Sequence, residues 1–384
     1  MMAKSRSVNS YISLFLFVFA ALIWRTPYYI ISLYVAIPLI IIYCFYNYGK
    51  VIVNSRYFNP YLFIIVWMFL SSVVNPNIIL SIGEMVPILA SFLFSMATYG
   101  IACCNKHSRF LFLSYVALFI FLMAQNMLSG DFTMNFEYAN DAERRSNTKL
   151  NANEYAYYSL FAIMSWRLFY LYCKKNLKSI YSICFYLLSL AVVFFVALMT
   201  ASRQVMALEI PLLAYFFYLD FIRGGRHKFM ILLFLLIMIV AIPFISDLYG
   251  SSYLAMRSEV GFQDDVRSDL LWRAVEQGIN NPLFGLGLGA DTFFSHTTYT
   301  HILARTGFPA FIVFVYMMSS CILVQWRRYL RTKGVNYLFY LGCLGIIAVG
   351  HFTYSYFNEP FMMAIIFAII GCSDNDYKIF RSKI

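Results

Sequence analysis

Residues 308–326 read FPAFIVFVYMMSSCILVQW, nineteen positions without one charged side chain. As an α-helix that run would extend ~28 Å at ~1.5 Å per residue, close to the ~30 Å hydrocarbon thickness of a bilayer. A helix apolar on every side has no face to offer water, so the stretch belongs in a membrane or in the centre of a large core. Working outward, similar runs recur along the chain. Of the 384 residues, 61% are hydrophobic and only 12% charged, with 39 Phe and 31 Tyr, and mean hydropathy is +0.70. A soluble domain sits near half apolar and a quarter charged. The fold class expected is therefore an all-α integral membrane protein, a single polytopic domain over residues 1–384, with no soluble domain left over.

Apolar periodicity places about twelve spans, at roughly 9–24, 27–46, 58–74, 78–102, 109–128, 154–173, 179–200, 204–222, 228–246, 302–325, 336–355 and 359–372. The last is short enough to be read as broken or re-entrant. Lys and Arg test the threading independently, because cytoplasmic loops collect them. With both termini cytoplasmic, the inner loops hold about twice as many basic residues as the outer ones, among them Lys50, Arg56, Lys106, Arg109, Lys174, Arg223, Arg328 and Lys378. The net charge of +11 is thus mostly topology and does not point to nucleic acid. The basic N-terminus followed by an apolar run reads as an uncleaved signal anchor. The eight cysteines lie in or beside apolar runs without CxxC spacing, so neither a zinc site nor a disulfide framework is indicated, and no metal or other cofactor is expected.

Two outer loops are long, about 129–153 and 247–301, the second preceding the tenth span. Long loops in compact proteins tend to be functional, and these define the expected active face. Arg203, in LMTASRQVMALEI, breaks two apolar runs near membrane depth, where a cation usually lines a polar cavity or meets an anion. Snorkelling to headgroups would explain it as well. Asp264–Ile279 reads as an amphipathic helix with Leu270, Leu271, Ala274 and Val275 on its apolar side, stopped at Asn280-Asn281-Pro282. It carries Arg267 and Arg273, six apart and so on different faces. The GLGLG at 285–289 lacks the lysine and the preceding strand of a phosphate loop, and reads as a tight turn back toward the membrane. His301 and Arg305 are four apart and share a helical face. His296 suits a general base at the boundary, since its pKa lies near working pH; a hydrogen-bonded interfacial histidine fits the same pattern. In NANEYA, Asn151, Asn153 and Glu154 stand at the entry of a span, where capping and the helix dipole alone could explain Asn153 and Glu154. Glu84 and His351, inside spans, are candidates by position.

Four segments, taken in order, resemble the O-antigen ligase and polymerase superfamily of bacterial membrane enzymes. TASRQ resembles its Ser-Arg at an outer span end, and NANEYA its Asn-x-Asn-Glu-x-Ala. RSDLLWRAVEQGINNPLFGLGLG resembles its Arg-led segment closing in Pro-x-x-Gly-x-Gly. HTTYTHILARTGFPA resembles its histidine segment, with Gly307 eleven positions after His296. Thr297 departs from the family's usual Asn and Ala310 from the ligases' usual residue, so the likeness leans to the polymerases. The resemblance implies that Arg203 and Arg267 bind the donor pyrophosphate and that His296 acts on the acceptor hydroxyl, with Arg273, His301, Arg305, Asn151, Asn153 and Glu154 lining the site. Guanidinium forks can hold the charge that a departing lipid pyrophosphate gains, in place of a metal. The implied substrate is an undecaprenyl-pyrophosphate-linked oligosaccharide, polymerised into O-antigen or a related polysaccharide on the periplasmic face of the bacterial inner membrane. Membrane lipid and the chain-length regulator and flippase of the same pathway are the implied partners. A ligase moving finished polymer to lipid A–core, and a transporter of lipid-linked sugars, are the competing expectations.

Overall fold

In a computed structural model, the structure describes residues 2–24, 29–74, 78–105, 107–128, 152–173, 180–200, 202–222, 266–288, 297–353, 355, 357 and 359–382. These form helices α1 (Met2–Ile23), α2 (Tyr29–Ile31), a π-helical turn Ser32–Ala36, α3 (Ile37–Val53), α4 (Phe58–Val74), α5 (Ile78–Cys104), α6 (Phe110–Leu128), α7 (Ala152–Cys173), α8 (Ile180–Thr200), α9 (Arg203–Ile222), α10 (Val266–Asn280), α11 (Thr298–Thr332), α12 (Asn336–Gly350) and α13 (Pro360–Arg381). No strand occurs among the described residues. Ser32–Val53, Gly83–Cys104, Arg203–Phe221 and Thr298–Thr332 are long and apolar enough to cross a bilayer, and Tyr11–Ile23, Phe58–Val74, Phe110–Gln125, Cys184–Thr200 and Asn336–Gly350 are shorter apolar helices. The chain is an all-α protein of membrane character. The expected span at 228–246 and most of both outer loops lie outside the described residues.

Two compact units are present: Met1–Leu111 with Asp265–Ile384, and Phe112–Asp264. In the first, α13 is the central helix. Every residue from Pro360 to Ser373 is buried, which is why its apolar residues run all round rather than along a stripe. The expected short or broken segment at 359–372 is instead a continuous helix to Arg381. Only its first part is apolar, and an apolar count stops where Asp374 begins a polar extension. α13 lies against α5, and at Gly371 an added Cβ would come within 2.6 Å of Ala102 Cβ.

The polar residues of this unit sort to opposite helix ends. At one end Arg109 grips Asp376 through Nη2 at 2.7 and 2.5 Å, and Tyr340 donates to the same carboxylate at 2.9 Å. Beside them Arg328 pairs with Asp374, which also accepts from Tyr99 at 2.7 Å, and Lys378 reaches Cys103 Sγ at 3.1 Å. At the other end Trp24 Nε1 donates to Glu359 at 2.6 Å, and Arg305 pairs with Glu84. Thus α5, α11 and α13 each run from one cluster to the other.

In the second unit, α7, α8 and α9 pack together, with α6 joined to α7 by the Phe119–Tyr155 and Tyr115–Phe161 ring contacts. Arg167 of α7 holds both oxygens of Asp220 of α9 at 2.5 and 2.6 Å, and Tyr186 of α8 donates to Asp220 at 2.7 Å. The guanidinium also lies over Tyr170, 5.0 Å from its centroid. A charge pair this buried persists because the Asp220 carboxylate has both a guanidinium and a phenol to meet it.

Candidate functional site

The structure brings the four candidate segments together two by two, one pair in each unit.

In the first unit the pair is 266–288 and 297–310. Thr297 caps α11, its side chain accepting from Thr300 N at 3.2 Å. Asn and Thr both fill an N-cap, so the Thr297 departure leaves that local structure intact. Thr298 donates through its backbone N to the His351 carbonyl at 2.8 Å, and its hydroxyl meets His351 Nδ1 at 2.8 Å. His351 is fully buried, with Phe314 edge-on at 5.3 Å, and pins α12 to the start of α11.

Two turns later α11 breaks. Gly307 adopts φ 73°, ψ −172°, a region open essentially to glycine alone, and Pro309 follows with no N–H to give. A regular helix would satisfy the carbonyls of Ala304, Arg305 and Thr306 from residues 308–310. Here the Pro-x-x-Gly-x-Gly segment supplies two of them. Leu286 N donates to Ala304 O and Gly287 N to Arg305 O, both at 2.9 Å, while Phe308 N turns to Pro282 O at 2.8 Å. Trp67 of α4 donates to Leu283 O and Thr306 O at 3.0 Å each and stacks on Phe284 at 5.2 Å. Ser71 donates to Arg305 O at 2.7 Å. The glycine pair expected to make a tight turn does so, with Gly285 and Gly287 at φ 62° and 79°, and docks its backbone into the helix break.

Arg305 is buried there. Its Nη1 donates to Glu84 of α5 and to the Leu288 carbonyl, so the guanidinium ties the docked segment to the bundle. His301, on the same helical face, is half-buried. α10 spans Val266–Asn280, close to the expected helix. It meets α11 through small residues: Ala274 is buried, and a Cβ on Gly278 would come within 2.5 Å of Leu303. The expected apolar side is thus only partly the packed one, because close helix approach selects the small residues while Leu270, Leu271 and Val275 stay half-exposed. Arg273 is exposed. Arg267 lies in the first turn of α10, its side chain outside the described residues, and His296 lies outside them altogether.

In the second unit the pair is NANEYA and TASRQ. Ala156, Tyr157 and Leu160 of α7 face Gln204, Val205, Leu208 and Glu209 of α9 across a narrow cleft. The N-termini of two neighbouring helices therefore open on the same end, where their dipoles favour an anion. Arg203 is the first residue of α9 and half-buried, and Glu154, also half-buried, stands in the first turn of α7. Asn153 belongs to α7 with its side chain outside the described residues, as Asn151 is entirely.

Two carboxyls were passed over in the sequence: Asp220, bound by Arg167, and Glu209, fully buried in the cleft wall. The signal was available. Each is an acid inside an apolar run, the same reason that singled out Glu84. Among the described residues no cluster of His, Cys, Asp or Glu could hold a metal ion. No protein-family model and no curated protein matches this chain.

Proposed function

We propose that the chain is a membrane glycosyltransferase that joins polyprenyl-pyrophosphate-linked oligosaccharide repeat units into a surface polysaccharide. It would act from the periplasmic side of a bacterial inner membrane, with about twelve spans and cytoplasmic termini. The observation that carries the reading is the order and pairing of the four segments. Each motif is weak alone, yet neighbours in sequence order pack as neighbours in each unit. Arg203 beside two helix N-termini suits a diphosphate, whose charge grows as the sugar departs. The Arg267 helix is held against α11, the helix that follows His296.

In this mechanism Arg203 and Arg267 hold the pyrophosphate leaving group, and His296 takes the proton of the attacking hydroxyl. Purified protein without added metal, given a synthetic lipid-pyrophosphate-linked repeat unit, is expected to produce a ladder of lengthening lipid-linked chains on a gel. His296→Ala, Arg203→Ala and Arg267→Ala are each expected to abolish the ladder while leaving membrane insertion and elution profile unchanged. Arg203→Lys is expected to restore little, because an ammonium cannot make the bidentate contact. Transfer to lipid A–core without lengthening would replace polymerase by ligase. No product from several repeat units and acceptors would remove the transferase reading.

A further inference from the structure

Glu209 lies six residues, about 9 Å, into α9 and is fully buried. Its Oε1 is 2.5 Å from Ser159 Oγ of α7, and among the described residues its Oε2 has no hydrogen-bond partner. The contrast with Asp220 on the same helix is sharp: that carboxylate has a guanidinium and a phenol, whereas among the described residues Glu209 meets the Ser159 hydroxyl and no ion-pair partner. An isolated carboxylate taken out of water neutralises rather than remain charged. Proton counting leads the same way. Ser159 Oγ also lies 2.7 Å from the Ala156 carbonyl, and a hydroxyl has one proton to donate. When that proton goes to the carbonyl, the short contact to Glu209 needs a second one, which the carboxyl itself can carry.

We propose that Glu209, seated against Ser159 in the cleft wall, is a proton-binding site within the membrane: a carboxylic acid at neutral pH whose Oε1–H donates to Ser159 Oγ. When the proton leaves for an entering water or base, a carboxylate remains between α7 and α9 with no ion-pair partner among the described residues. Water or a cation must then enter, so proton release and opening of the cleft are coupled. Among the described residues the titratable groups near this site are few. Tyr157 of α7 shares the lining, Arg203 begins α9, and Glu154 stands in the first turn of α7. Tyr186 of α8 is committed to Asp220. The site is independent of which transfer reaction the protein performs.

Infrared spectroscopy of the purified full chain at pH 7 tests this. The wild-type minus Glu209→Gln difference is expected to show the C=O stretch of a neutral carboxylic acid, and Ser159→Ala is expected to move that band by removing its hydrogen-bond partner. The band should survive at pH values where solvated carboxyls have ionised. A carboxylate signal in its place, or a band that Ser159→Ala leaves unmoved, overturns the proposal. Should Glu209→Gln not fold, a hydrophobic carbodiimide answers on wild-type protein. The acid O–H adds across its C=N bond, the proton going to nitrogen, and the adduct rearranges to a stable N-acylurea. Mass mapping is expected to find that adduct at Glu209, and its absence there overturns the proposal.

Discussion

Gly307 and Gly285 each approach the backbone of the other's segment more closely than a residue with a Cβ could. A Cβ on Gly307 would lie 2.6 Å from the carbonyl oxygens of Pro282 and Leu283, and one on Gly285 would lie 2.5 Å from Arg305 C and Thr306 N. Both glycines have positive φ, so an added side chain meets backbone strain and fixed backbone atoms together. Gly307→Ala is expected to cost about 1–3 kcal/mol from conformation alone, with the clash added, and to lower the apparent Tm in detergent. Gly345 in α12 has nothing within 4 Å of its would-be Cβ, so Gly345→Ala is expected to be neutral or to stabilise by up to about 1 kcal/mol. Equal heat resistance of the Gly307 variant and wild type would contradict the docked helix break. Arg305 illustrates the limit of local reading: its spacing from His301 predicts a shared face, but the face is closed by Glu84 and Leu288.

At the scale of elements, each unit is held by charges that the bilayer makes expensive to leave alone. Asp220→Ala strands a buried guanidinium among α7, α8 and α9, and loss of one partner of such a pair costs about 3–5 kcal/mol. The expected result is a large fall in the monodisperse fraction on size-exclusion chromatography. The double variant Arg167→Met/Asp220→Leu is expected to recover much of it, since no charge is then unpaired. Recovery no better than the single variant would show that the pair does more than satisfy itself. On α13, Gly371→Leu is expected to push the helix off α5, because the contact with Ala102 Cβ and the Tyr99 carbonyl leaves no room. Overpacking of this kind costs about 1–3 kcal/mol. The amphipathic helix at 266–280 was legible from its pattern, yet its contact face was not, because Gly278 carries no hydrophobic signal.

For the whole molecule, basic residues expected on one side of the membrane, Arg109, Arg328 and Lys378, do gather at one end of the first unit, while Arg305 lies at the other. A chain threaded with one span too many or too few would mix the two groups. In a background without the exposed Cys104 and Cys184, Arg56→Cys and Ser382→Cys are expected to react with thiol reagents from the cytoplasm. Arg273→Cys is expected to react with an impermeant reagent added outside. Labelling of all three from one face would refute the threading.

Composition and periodicity alone determined that this chain is helical and membrane-seeking, where most of the helices begin and end, and which ends carry the basic residues. Those properties are sums over local residues and their solvent, so they can be read without knowing any neighbour. Tertiary structure decided the rest. It made α13 the buried axis although its apolar run looked short, because a helix surrounded by other helices need not be long enough to meet lipid. It made the tight turn of Gly285 and Gly287 one half of a backbone joint at the Gly307 break, because the carbonyls that Leu286 and Gly287 satisfy belong to a distant segment. It also divided two similar-looking acids of one helix, Asp220 and Glu209, by giving a cation to the first and a hydroxyl to the second.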